Sequence, residues 1–138
     1  MELMVTVVII GIISSVTTVN VSRQLPRYRL TNAASQLFWT FRGLRMRAIS
    51  QHHAVTVTFT NDHVYTVWTD RNDNGLSDSG EVQTIDIHEA YPSVQFAASA
   101  DPTFKPAGTV TNPPTITLTN PTGSKTLTMN ILGDVTIQ

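Results

Sequence analysis

The sequence predicts an α+β protein in which one long N-terminal helix, apolar in its first half, packs on a small antiparallel β-sheet head. Three patterns carry this expectation. Leu3 to Val21 runs without a single charge. From Leu30 onward apolar residues step by four and three. From Ala54 the period drops to two. A period near 3.6 marks a helix with one buried face, and a period of two marks a half-buried strand.

The first element divides into halves. Leu3–Val21 is rich in Val and Ile and long enough to cross about 30 Å of hydrocarbon as a helix. A secretory signal peptide is the rival reading, but such a peptide opens on basic residues. Here Glu2 precedes the apolar run and the first basic residue, Arg23, follows it. In the second half Leu30, Ala34, Leu37, Phe41, Leu44 and Ala48 form the stripe of an amphipathic helix. Pro26 lacks an amide hydrogen and is expected to kink or locally break this helix, and Gly11 is a second weak point. The organisation read from this is an apolar membrane or filament-core segment over 1–24 and a head over 25–138. The head comprises a helical half over about 25–53 and a β-domain over 54–138.

The β-domain follows from alternation. "AVTVTFT" and "HVYTVWT" flank "ND", a hairpin signal, and "EVQTIDIH", "SVQFA", "TITLTN", "KTLTMN" and "DVTI" follow. Six or seven short strands with one apolar and one Thr-rich face are expected, in one sheet whose apolar side receives the helix stripe. "KPAGTVTNPP" reads as loop.

Composition narrows the function. Charged residues make up only 14% of the 138, against roughly 25% in ordinary soluble domains, which suits a packed or glycan-covered surface. There is no cysteine, so disulfides and thiolate zinc sites are excluded. Through His53 six arginines (Arg23, Arg27, Arg29, Arg42, Arg45, Arg47) face one acid, Glu2, whereas the remainder holds nine acids against Arg71, Lys105 and Lys125. Opposite charge on the two parts favours head-to-stem contacts within or between copies. The same arginines fit a solvated face, and a nucleic-acid contact is the weaker reading because a basic patch is only an electrostatic footprint. Of Phe38, Trp39 and Phe41, helical spacing sends Phe41 to the core and leaves Trp39 to pack between protomers.

The segment Glu2-Leu3-Met4-Val5, the run "VVIIGIISSV" with Gly11, and the switch from helix to strand near Ala54 together resemble the type IV pilin superfamily. The acidic loop "DRNDNGLSDSGE", "FKPAGTV", "TITLTN" and the terminal "GDVTI" resemble its GspH/FimT-like pilins and pseudopilins. The resemblance implies a structural subunit of an extracellular type IV pilus or a related pseudopilus, not an enzyme. It implies self-assembly into a homopolymeric or mixed filament, handled by pilus or type II secretion machinery. It also implies residence as a single-pass protein in the bacterial inner membrane before assembly, and in an extracellular filament or periplasmic pseudopilus afterwards. By the same resemblance Glu2 pairs with the terminal amine of a neighbouring subunit, and Leu3, Gly11 and Pro26 belong to the assembly helix. Relatives carry a Phe-Thr-Leu-like segment ahead of the position matched by Met1 that this sequence does not show. The alternative for Glu2 is a carboxylate at a water interface, favoured there by the positive end of the helix dipole. The alternative for the whole chain is a membrane-anchored β-domain binding module that never polymerises.

Within the acidic loop Asp70, Asn72, Asn74, Gly75, Asp78 and Glu81 fit the calcium pattern D-x-[DN]-x-[DN]-G-x5-E, with the Leu76 carbonyl as a further oxygen. The flanks are strand-like and Ser77 stands where an apolar residue is usual, so an Asx-rich turn that satisfies its own backbone is the competing reading. No other cofactor is required. His52 and His53 fall at the helix end and His63 and His88 on expected strands, without metal-ligand spacing or a partner set for catalysis.

Overall fold

The computed structural model describes residues 2–72, 74–78 and 80–138, with the side chains of residues 2 and 14–23 outside the description. The described residues form one helix, α1 (Glu2–Gln51), and nine strands. In chain order these are β1 (Val55–Phe59), β2 (Val64–Thr69), β3 (Val82–Asp86), β4 (Gln95–Ala98), β5 (Thr103–Phe104), β6 (Val110–Thr111), β7 (Thr115–Asn120), β8 (Gly123–Met129) and β9 (Val135–Ile137). The expected single sheet is instead two. One has the order β3-β2-β1-β5-β6 and the other β4-β7-β8-β9, each fully antiparallel. The stretch "KPAGTVTNPP", read as loop, contributes β6, which pairs with β5 through Thr103–Thr111 and Phe104–Val110. Two-residue strands show no periodicity, so nothing in their sequence marks them.

At 1.5 Å per residue the 50-residue α1 is roughly 75 Å long. It runs through Gly11 and Pro26 without a break. The expected break at Pro26 is not seen, and at the same residue the head is tied to the helix: Asn120 Nδ2 donates to the Pro26 carbonyl at 2.7 Å. The carboxamide oxygen of the same residue accepts from Thr122 N and Thr122 Oγ1, which fixes the β7–β8 turn beneath the helix. Gln51 ends α1 and His52 takes φ 60°, a left-handed bend that turns the chain into β1.

Both sheets close on the same helix face. Leu30, Ala33, Ala34, Leu37, Phe41, Leu44 and Ala48 are all buried there, against strands of both sheets. Alternation does the matching work in the strands: Val55 and Val57 of β1, Tyr65 and Val67 of β2, Ile116 and Leu118 of β7, and Leu127 and Met129 of β8 point inward at every second position. Phe41 is fully buried and stacks on Phe104 with ring centroids 6.4 Å apart. Arg45 clasps the two sheets from the helix: its Nε donates to the Gly108 carbonyl at 3.0 Å, between β5 and β6, and its Nη1 lies 3.5 Å from Asp134, between β8 and β9. Gly133 lets the guanidinium pass, since a Cβ there would come within 2.9 Å of Arg45 Cδ and Nε.

The sheet edges are β3, β6, β4 and β9. Three of these hold four residues or fewer, and the longest, β3, is exposed along most of its length and ends in Asp86.

Two outcomes follow from this core. Phe41→Ala in the full chain should destabilise the head by roughly 3–5 kcal/mol, as for other buried aromatics, read as a lowered melting temperature; unchanged melting would place the stripe elsewhere. Burial pushes the Tyr65 phenol above its ordinary 10.0, with a hydrogen bond to Thr40 of α1 pulling the other way. The folded state thus holds this proton more tightly than the unfolded chain, a contribution intact below pH 10 and lost as pH rises through the folded value. Tyr65→Phe should therefore flatten the alkaline limb of a melting-temperature profile relative to the parent.

Candidate functional site

Two features outside the core bear on what the chain does: the uncovered surface of α1, and the loop joining β2 to β3.

Along the first turns of α1 Leu3, Met4, Val5, Val7, Val8, Ile9, Ile10, Ile12 and Ile13 are all at least half exposed. The apolar surface goes round the helix, and no part of the head covers it. Leu3 is 78% exposed, and a Cβ added at Gly11 would meet nothing within 4 Å. The side chain of Glu2, and all of Met1, lie outside the described residues, so the carboxylate's partner does too. The rest of the expected span, residues 14–23, also lies outside the described side chains. Among the described residues no helix is long and apolar enough to cross a membrane.

In the second half α1 buries one face and leaves apolar residues interspersed with Asn32 and Ser35 on the opposite one. At 100° per residue the buried stripe spans roughly 80–180° around the axis, counted from Leu25. Leu25, Tyr28, Trp39 and Met46, all exposed, fall at roughly 300–360° on the same count, directly behind it. Trp39 is 64% exposed and its ring meets Phe38 edge-on at 5.1 Å. The Arg42 guanidinium lies over both rings, 4.9 Å from the Phe38 centroid and 5.9 Å from that of Trp39. Trp39, Arg42, Gly43, Arg45 and Met46 line a groove of ≈ 470 Å³. Thus Phe41 faces the core and Trp39 faces away from it, as helical spacing requires. The arginines are not one solvated row: Arg42 caps aromatic rings and Arg45 joins the sheets, a role that no local pattern announces.

The β2–β3 loop is built on Asp70, which is buried at its root. Its Oδ1 accepts from Asn74 N at 3.0 Å and its Oδ2 from Gly75 N at 2.8 Å. Gly75 takes φ 74°, the left-handed conformation that the sixth position of the calcium pattern needs. Asn72 Nδ2 and Asn74 Nδ2 both donate to Asp78 Oδ2, at 2.7 and 2.9 Å. Their carboxamide oxygens accept from backbone N–H groups, Asn72 from Asn74 and Asn74 from Leu76. Glu81 closes the loop by accepting from Arg71 N and Asp78 N. Hence Asn72, Asn74 and Asp78 converge on one point, while Asp70 and Glu81 are engaged by backbone amides and Leu76 is exposed. These are the hydrogen bonds of an Asx-rich turn. Among the described residues no three His, Asp or Glu side chains gather as a metal would need; Asp73 lies outside them.

With a helical spine, two antiparallel sheets and a capped β2–β3 loop established, the sequence between residues 33 and 133 matches the family described as Type II transport protein GspH. The chain belongs to the GspH family. The match covers most of the chain, from the buried stripe to the β8–β9 turn. No curated protein matches this GspH-family chain in sequence. Solved structures of two minor subunits are among those that share its fold. The type IV minor pilin FimU of Pseudomonas aeruginosa is 18% identical with a TM-score of 0.60, over 81% of this chain and 90% of that one. The minor pseudopilin EpsH of the Type 2 Secretion System of Vibrio cholerae is 15% identical with a TM-score of 0.63, over 80% and 96%. The long helix on antiparallel sheets is therefore the pilin type of fold.

Proposed function

We propose that this chain enters its filament through α1, with the uncovered apolar surface of Leu3–Ile13 and the rear stripe of Leu25, Tyr28, Trp39 and Met46 packed against helices of neighbouring subunits. The chain is a structural subunit of a pilus or pseudopilus. The observation that carries the assembly mode is the uncovered apolar surface of Leu3–Ile13. A helix that is apolar all round belongs inside a larger assembly, and here the head covers one face alone. Family membership supports the same reading, as do the minor pilin and minor pseudopilin of like fold. Before assembly the N-terminal half holds the protein in the inner membrane. On assembly it exchanges lipid for other helices, a transfer between apolar surroundings that leaves little apolar surface to water. Glu2 pairs with a neighbour's terminal amine and sets the register. The role is structural and non-catalytic, and pilus or type II secretion machinery drives it. A non-polymerising anchored module would need no apolar stripe behind its own core.

Calcium is the ion proposed for the Asp70–Glu81 loop. The convergence of Asn72, Asn74 and Asp78 supports it, because turning the two carboxamides would present oxygens where nitrogens now meet Asp78. Such a turn gives up the two backbone bonds to the carboxamide oxygens, so binding must outweigh them.

Glu2→Ala should abolish or severely reduce filaments while leaving membrane insertion and head melting intact, since removing one member of a buried pair costs about 3–5 kcal/mol. Filament yield by electron microscopy checks this, and normal yield would refute the pairing. Calcium should raise the melting temperature of the full chain, by the equivalent of about 2.7 kcal/mol at a hundredfold excess over Kd, and magnesium should substitute poorly. Equal melting in calcium and in chelator would leave the loop as an Asx-rich turn alone.

A further inference from the structure

At the end of the β2–β3 ladder away from the acidic loop, two imidazoles face each other. His63 directly precedes β2 and His88 follows β3 by two residues, so neither lies on the strand expected of it. The antiparallel register pairs Val64 with Asp86, and Ile87 N donates to the His63 carbonyl at 2.9 Å, which brings together residues 25 positions apart. Both backbones are pinned: His63 N donates to Asn61 Oδ1 at 3.0 Å, and His88 N to Asp86 Oδ1 at 2.7 Å. The ring centroids are 5.4 Å apart with planes inclined at 55°. That inclination is far from a stack.

A separation of this size is ordinary for paired rings, and it also has room for a shared ion. A zinc-class metal sits about 2.0–2.1 Å from each imidazole nitrogen. The ring centre lies about 1.1–1.2 Å behind that nitrogen, so two rings at a near-tetrahedral angle have centroids about 5.2 Å apart. Asp62 supplies the remaining element. Its Oδ1 lies 2.7 Å from His63 Nδ1. A carboxylate only accepts, so Nδ1 carries the proton and the neutral ring keeps its lone pair on Nε2. Carboxylate–histidine–metal relays orient a ligand in this way. The His88 residue is exposed and His63 is partly so.

We propose that His63 and His88 form a two-imidazole seat for a divalent transition metal of the zinc and copper class, with Asp62 as the positioning residue behind His63. Two protein nitrogens leave the other positions to water or to a second molecule, and no third His, Asp or Glu among the described residues completes a closed site. The ion is therefore exchangeable. The seat does not depend on filament assembly, and calcium, which takes hard oxygen ligands, has no claim on it.

The test titrates zinc(II) into the full chain in detergent, read by calorimetry and by ring 15N–1H NMR of the histidines. Saturable binding of about one ion per chain is expected, with the His63 and His88 rings shifting together. His63→Ala and His88→Ala should each weaken binding at least tenfold. Asp62→Asn should weaken it by about tenfold, in the range of other orienting carboxylates, while both rings still shift. Copper(II) should bind the same pair more tightly, and a His52→Ala/His53→Ala double variant should bind as the parent does. The ring shifts in the parent decide the matter if a variant fails to fold. Absence of binding at millimolar zinc, binding that survives loss of either ring, or binding that disappears with His52 and His53 instead would overturn the proposal.

Discussion

The buried stripe from Leu30 to Ala48 is the helix surface on which both sheets close. β7, β8 and β9 reach it from one side and β1 and β5 from the other, so the helix serves as the shared wall of two small sandwiches. The sheets also meet each other directly, Phe59 and Tyr65 of the first packing on Phe96 of the second, and Phe41 and Phe104 are fully buried where the first sheet meets the helix. The Arg45 clasp then fixes the angle between the sheets at the end of the head nearest Gly108 and Asp134. At the other end Asn120 holds the β7–β8 turn to the helix beside Pro26. These two polar ties mark the length of α1 that moves with the head.

Over Leu3–Ile13 the helix has no such support, and its apolar side chains are exposed. The contrast assigns different solvents to different parts of one helix. Residues 30–48 are solvated on one side by their own sheets, whereas Leu3–Ile13 have no such cover from the head. Trp39 and Met46 are exposed behind that buried stripe, so covered and uncovered apolar residues lie back to back on the same turns.

The helix stripe was legible because its period is long and uninterrupted: all six residues read from spacing, Leu30 to Ala48, are buried, and only Ala33 was missed. The longer strands were legible for the same reason. The division into two sheets was not, because alternation says which face of a strand is apolar and nothing about which sheet it joins. β5 and β6 are too short to show any period. The order of donors in the Asp70–Glu81 loop was plain from sequence, but its actual partners depend on how each carboxamide is turned. The meeting of His63 with His88 rests on the β2–β3 register, set across a connection of twelve residues that single-residue patterns do not reach.

A protein that polymerises through a helix faces a second route to polymer that it must keep closed. Every open sheet has exposed amides and carbonyls along its outer strands, and edge-to-edge addition of strands is the ordinary beginning of amyloid-like aggregation. This head has two open sheets and hence four such margins. β6 offers two residues and runs on toward Pro113 and Pro114, which have no amide hydrogen to give. β9 offers three and β4 four. Only β3 is long enough to template another strand, and Gln83, Thr84 and Asp86 make that stretch costly to desolvate. High local concentration along a filament would otherwise favour the wrong contact many times over. Short and polar margins keep growth on the axis that the helices define.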